Sequence, residues 1–187
     1  MLKLFYKKRE TDEDLSRMAW DLLETACLKE GILHPRDRII YGTNGKPYLE
    51  GNELYFNLSH SGDYALCVLC DTEVGCDIQK VRKPKASVID RWFSTQEKDY
   101  ILGGGFEGDR AERFTRIWAL KESYIKQTGE GLSRDLRSFC FAFEGEEPVL
   151  YLLSDSGTER VSGLAFYEQK LDGYACVCCF KKQLTSL

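Results

Sequence analysis

Helical and extended patterns alternate along this chain in an order that narrows the fold sharply. A helix period runs over about Asp12 to Lys29, with Thr11 as N-cap and Gly31 as stop; Leu15, Met18, Ala19, Leu22, Leu23 and Ala26 recur at three and four. Two strand-like runs follow, Leu54 to Leu58 and Tyr64 to Cys70, joined across Ser59-His60-Ser61-Gly62-Asp63, and Glu73 to Val81 contains a third extended segment. Beyond the breaker Pro84 two helices are predicted, one over about Ser87 to Leu102 ended by Gly103-Gly104-Gly105, the other over about Arg110 to Thr128 ended by Gly129. The tail reads as up to four strands, Ser138–Phe143, Val149–Leu153, Val161–Tyr167 and Tyr174–Phe180. Helix-then-strands followed by strand-helices-strands suggests an α+β fold of two similar halves, residues 1–72 and 73–187.

Composition sets the outer limits. Hydrophobic residues make up 43% of the 187 and charged residues 30%, which is globular rather than disordered. Apolar stretches last only a few residues, far below the roughly 20 that span a bilayer, so no membrane association is expected. The opening MLKLFYKKRE has no secretory apolar region, and the expectation is a cytoplasmic protein. A net charge of −4 argues against a generic nucleic-acid backbone binder but leaves room for a local basic site. The eight cysteines mostly lie in strand-like runs, where they act as small hydrophobes. Cys67 and Cys70 spell C-x-x-C in mid-strand, where a separation of three points them to opposite faces and disfavours zinc.

Five constellations could carry chemistry. Asp77 and Gln79 share one face of an extended segment and offer oxygens to a hard cation, or simply a polar strand edge to water. Glu122 and Lys126 are stacked at i,i+4, a spacing usual for solvated ion pairs; here Phe114, Trp118 and Ile125 crowd the helix, so a metal-binding carboxylate and a phosphate-binding lysine are the alternative. Ser59 and His60 lie in a small polar stretch suited to an anion, or to capping its own backbone. Glu97 follows Ser94 at capping-box spacing. Gly45-Lys46-Pro47 could present a lysine to a phosphate, a weak signal alone.

Taken in order, Gly45–Pro47, Asn57–Gly62, Gly75–Gln79, Trp92–Glu97 and Trp118–Leu132 resemble the 4′-phosphopantetheinyl transferases of the surfactin-synthetase-activating type. The most specific stretch, W-A-L-K-E-S-Y-I-K-Q-T-G-E-G-L, is similar to that family's W-x-x-K-E-x-x-x-K-x-x-G-x-G-L. The resemblance implies two pseudo-twofold-related α/β halves, each a small mainly antiparallel sheet on helix, with coenzyme A in the cleft between them. It implies transfer of the phosphopantetheine arm to a serine of an apo acyl or peptidyl carrier protein by a monomer. Asp77, Glu122 and, less securely as an amide in place of the frequent glutamate, Gln79 would hold Mg²⁺. Lys126, Ser59 and His60 would meet phosphate oxygens, Gly45-Lys46-Pro47 would lie by the adenine and ribose phosphate, and Glu97 matches the general base, a role that Glu122 could take instead. Two other classes stay open: a non-catalytic coenzyme A or carrier-binding module on the same fold, and a cysteine-based metal or redox protein.

Overall fold

The computed structural model describes residues 1–51, 54–103 and 108–182. The first part of the chain forms β1 (Leu2–Lys8), α1 (Leu15–Lys29), the short β2 (Ile39–Tyr41) and β3 (Pro47–Leu49), then the hairpin β4 (Tyr55–Ser61) and β5 (Tyr64–Cys70). The second forms β6 (Val74–Lys80), helices α2 (Ala86–Trp92), α3 (Thr95–Leu102) and α4 (Arg110–Thr128), strands β7 (Phe139–Glu144), β8 (Glu147–Ser154) and β9 (Gly157–Arg160), and the hairpin β10 (Leu164–Leu171) and β11 (Tyr174–Lys181). The two parts repeat one topology. In each, an antiparallel sheet places its first strand beside its last, and the last beside its hairpin partner: β1-β5-β4 and β6-β11-β10. The helices and a small accessory sheet are inserted between first strand and hairpin.

The sheets stack between helices in four layers. One face of β5 turns Ala65, Cys67 and Leu69 to Met18, Ala19, Leu23 and Ala26 of α1. Its other face sends Leu66, Val68 and Cys70 against Cys76, Ile78, Cys176 and Cys178 of the second sheet. The far face of that sheet sets Val177 and Cys179 against Ile117, Leu120 and Ile125 of α4. Strand β5 is therefore covered on both sides, which is why its run lacks apolar–polar alternation. Each large side chain buried this way is worth about 1.5–3 kcal/mol.

Polar side chains stitch the seam between sheets. Asn57, Ser59 and Ser61 of β4 accept from the backbone N–H groups of Cys76, Ile78 and Lys80 at 2.9, 3.2 and 3.1 Å. The free edge of β6 is thus satisfied by side chains rather than by another ladder. Ser59 to Ser61, expected in the connection, belong to β4; the hairpin turn is Gly62-Asp63, with Gly62 at φ 59°. The reason is this edge pairing, which rewards polar residues at every second strand position.

Three further differences have local causes. Helix α1 starts one turn later than expected, because Asp14 rather than Thr11 caps it through the N–H of Arg17. The predicted Ser87–Leu102 helix breaks into α2 and α3, where Ser94 and Glu97 form a reciprocal capping box. Gly103 closes α3, while the rest of that glycine run lies outside the described residues. The opening strand β1 and the short β2, β3 and β9 lie outside the expected elements. Helix α4 matches its predicted bounds, with Gly129 left-handed at φ 72°.

Strand β6 crosses α4 at Gly75. A Cβ there would stand 2.1 Å from the Ser123 carbonyl and 2.2 Å from the Gln127 N, both rigid helix backbone. Only glycine permits this approach, and two residues along the same strand face it delivers Asp77 to the helix. Gly75→Ala is expected to cost about 3 kcal/mol, the upper end for overpacking. Urea unfolding checks this; a loss below about 0.5 kcal/mol would mean the contact is soft.

All eight cysteines are free and buried. Burial pushes the Cys27 thiol up to about 11 and Cys176 to about 12, and raises Cys67, Cys76, Cys140, Cys178 and Cys179 as well. The unfolded chain gives up these protons near about 8.5 while the folded chain keeps them. Their stabilising effect is therefore complete below that value and lost as pH rises through the raised range. Lys46, lowered to about 8 by burial, acts in the opposite sense, one group against seven thiols. The urea midpoint is expected to fall steeply above about pH 9. A flat profile to about pH 11 would contradict the burial of these thiols.

Candidate active site

The site forms where the edge of β6 meets α4 and β4. Asp77 is 2% exposed. Its Oδ1 accepts from the Ser59 hydroxyl at 2.9 Å and from the Lys126 ammonium at 2.7 Å. Lys126 also donates to Ser59 Oγ at 3.1 Å. The second oxygen, Oδ2, is buried without a hydrogen-bond partner, an expensive condition for a carboxylate. Glu122 stands one helical turn before Lys126. Burial first, and then the charge of Asp77, raise its pKa; Lys126 only partly offsets them. Burial opposes the charge on Lys126, yet Asp77 outweighs it and the pKa rises. The i,i+4 spacing allows a Glu122–Lys126 pair, but the ammonium turns to Asp77.

This donor set suits a divalent cation. Two electrostatically coupled carboxylates lie near one ammonium, and one buried oxygen has no donor at all. A hard cation such as Mg²⁺ takes oxygens of this kind and keeps waters and substrate phosphates in its remaining positions. Gln79 lies on the same face of β6, its Oε1 3.5 Å from the Ser61 hydroxyl, a long contact that leaves the amide available. Among the described residues no group of three or more His, Cys, Asp or Glu converges. A cation here would have two carboxylates and an amide within the chain to draw on, with ligand oxygens completing its shell.

The other expected residues lie elsewhere. His60 is exposed, and strand alternation turns it to the opposite face from Ser59. Lys46 is buried and donates to the carbonyls of Val74 and Gln127 at 3.0 and 2.9 Å, while Asn44 donates to the Gly129 carbonyl. Gly45-Lys46-Pro47 thereby ties the start of β6 to the end of α4 and points no lysine into the open site. Glu97 is 0% exposed. Its carboxylate accepts from Lys121 at 2.9 Å and from the backbone N–H groups of Ser94 and Phe141. Lys121 also donates to the carbonyls of Leu136 and Phe139 and lies over the Phe139 ring. This pair, next in sequence to Glu122, joins α3, α4 and β7 and shares no partner with Asp77. No spacing or motif in the sequence signals the burial of Lys121, whose partners come from elements remote in the chain. The N-x-S-x-S alternation of Asn57, Ser59 and Ser61 was the available signal for the seam.

A cavity of about 790 Å³ lies apart from this cluster, between the first half of α4 and β10–β11. Arg116 within it is already engaged by Glu168 at 2.7 Å and Glu146 at 3.1 Å. No helix among the described residues is long and apolar enough to cross a membrane.

Residues 73–179 match the model of the 4′-phosphopantetheinyl transferase superfamily, a span that contains Asp77, Glu122 and Lys126. The chain belongs to that superfamily. It is 32% identical over 154 residues to a 4′-phosphopantetheinyl transferase of Bacillus subtilis, covering 81% of this chain and 67% of the relative. It is 29% identical over 163 residues to the 4′-phosphopantetheinyl transferase gsp of Aneurinibacillus migulanus, covering 85% and 65%. The chain thus spans about two thirds of the length of these relatives. The holo-[acyl-carrier-protein] synthase of Thermotoga maritima aligns over 60% of this chain and 64% of its own, with a TM-score of 0.47 and 23% identity.

Proposed function

We propose that this protein transfers the 4′-phosphopantetheine arm of coenzyme A to a serine hydroxyl of an apo acyl or peptidyl carrier protein and releases 3′,5′-ADP. The observation that carries the reading is the meeting of Asp77 and Glu122, far apart in the chain, beside an ammonium and an orphaned carboxylate oxygen. In the reaction the serine oxygen bonds to the phosphorus that bears pantetheine, and the bond from that phosphorus to the 3′,5′-ADP oxygen breaks. Asp77, Glu122 and Gln79 would hold Mg²⁺, which when bound offsets the charge developing on the diphosphate. Lys126 and Ser59 contact the same phosphates. Of the two carboxylates considered for taking the serine proton, Glu122 is the one at the site; Glu97 serves as an anchor. His60, and the backbone around Gly45-Lys46-Pro47, face coenzyme A farther out. The protein works in the cytoplasm as a monomer of two halves, 1–72 and 73–187, in the manner of the surfactin-synthetase-activating type.

A second reading, a binding module without transfer, is favoured only by Gln79, which leaves the site one carboxylate short. Incubation with coenzyme A, Mg²⁺ and a panel of apo carrier proteins separates the two. The expected result is a mass gain of one phosphopantetheine on the carrier serine. Binding of coenzyme A without mass gain on any carrier would establish the second reading.

A further inference from the structure

The seam between the two halves repeats every second residue. Asn57, Ser59 and Ser61 of β4 meet the N–H groups of Cys76, Ile78 and Lys80 of β6. A slide of two residues, roughly 6.6 Å, would keep two of these three pairings. Behind them Leu66, Val68 and Cys70 lie on Cys76, Ile78, Cys176 and Cys178, where apolar burial is non-directional and tolerates the same slide. Yet one register alone puts the Ser59 hydroxyl on Asp77 and Lys126. Contacts outside the repeat must therefore fix it. At one end of the seam Asp63 meets Lys80 and the Tyr174 hydroxyl, each at 3.3 Å, but the Asp63 side chain is 40% exposed and such surface pairs contribute little. At the other end stands Lys46, in the turn between β2 and β3. Its buried ammonium donates to the carbonyl of Val74, where β6 begins, at 3.0 Å, and to that of Gln127, in the last turn of α4, at 2.9 Å. Asn44 beside it donates to the Gly129 carbonyl at 3.0 Å. Carbonyls at a helix C-terminus lack partners within the helix and favour a cation, so these contacts belong to one place and do not repeat.

We propose that Lys46 is a positioning residue: it fixes the register of the first half on the second, so setting Ser59 against Asp77 and Lys126, and holds no phosphate itself. Its effect on rate rests on the transferase reading; its effect on the seam does not. Lys46 grips β6 three residues before Asp77 and α4 at the residue after Lys126. Both backbone segments that deliver the site are thus tied to one side chain of the other half. Two of the three ammonium donors are committed to these carbonyls, and at 9% exposure Lys46 offers little to a ligand. Misplacing reacting groups by about 1 Å from a remote position can cost about a hundredfold in rate.

The test uses Lys46→Met in the full chain, which keeps an unbranched side chain and removes its donors. With coenzyme A and one apo carrier that the wild type modifies, kcat per folded molecule is expected to fall at least about tenfold, with the KM for coenzyme A within about twofold. Hydrogen exchange at the Cys76 and Ile78 N–H groups should quicken at least about tenfold, while the N–H groups of β5 keep their wild-type rates. If Lys46→Met fails to fold, Asn44→Ala replaces it, with an expected loss of about three- to tenfold in kcat and the same pattern of exchange. A rise confined to the KM for coenzyme A, with exchange at the seam unchanged, would overturn the proposal and return Lys46 to a phosphate. A lower Tm with wild-type kcat and wild-type exchange would overturn it too, leaving a stabilising tie and nothing more. A wild type that modifies no carrier refutes the transferase reading instead, and exchange at Cys76 and Ile78 then decides the register by itself.

Discussion

Glu122→Gln is expected to abolish carrier modification, by a thousandfold or more, without making the protein less stable. Such a loss is about 4 kcal/mol of transition-state stabilisation. Stability moves the other way because the negative charge of Glu122 is disfavoured where it sits: burial and Asp77 raise its pKa, and Lys126 is engaged elsewhere. Removing a carboxylate kept for function at a cost in stability typically yields +0.5–2 kcal/mol, read as a higher Tm. Asp77→Asn should also silence transfer, but with some destabilisation, since Asp77 is the partner of both Lys126 and Ser59. Mg²⁺ with coenzyme A should raise the Tm of the wild type, and that of Glu122→Gln much less. Equal Tm shifts in both proteins would remove Glu122 from the cation site.

The second large effect belongs to the buried pair. Lys121→Met leaves the Glu97 carboxylate, fully enclosed, without its cation, and breaking such a pair costs about 3–5 kcal/mol. Against a domain stability of about 5–15 kcal/mol this shows as a large fall in the urea midpoint. Glu97→Gln is expected to destabilise too, with transfer per folded molecule within about tenfold of the wild type. A general base would behave differently, losing about a hundredfold or more in rate with the midpoint untouched. Single-turnover rates beside urea curves distinguish an anchor from a base.

What the sequence disclosed follows the range of the forces involved. Local signals were readable: α4 and its Gly129 stop, the Ser94–Glu97 capping box, the strand that carries Asp77 and Gln79. The convergence of Asp77 with Glu122 and Lys126 was an implication of motif resemblance, since period and spacing say nothing about which face of α4 meets which edge of β6. That meeting depends on Gly75, whose missing Cβ admits the helix backbone. Ser59 and Ser61 passed for loop residues because a strand edge satisfied by side chains looks polar in the way a turn does. Lys46, expected beside a phosphate, and Lys121, which no sequence signal singles out, are both buried by carbonyls that only the folded chain brings together. The second sheet face of β5 was legible as an unbroken apolar run, but its partner across the interior was not.

Crystals grown with coenzyme A and Mn²⁺ in place of Mg²⁺, measured at the manganese absorption edge, bear most directly on the site. The expected result is an anomalous peak bridged by Asp77 and Glu122 and in contact with the diphosphate of the nucleotide. A peak bound by other residues, or a diphosphate lying away from both carboxylates, would contradict it.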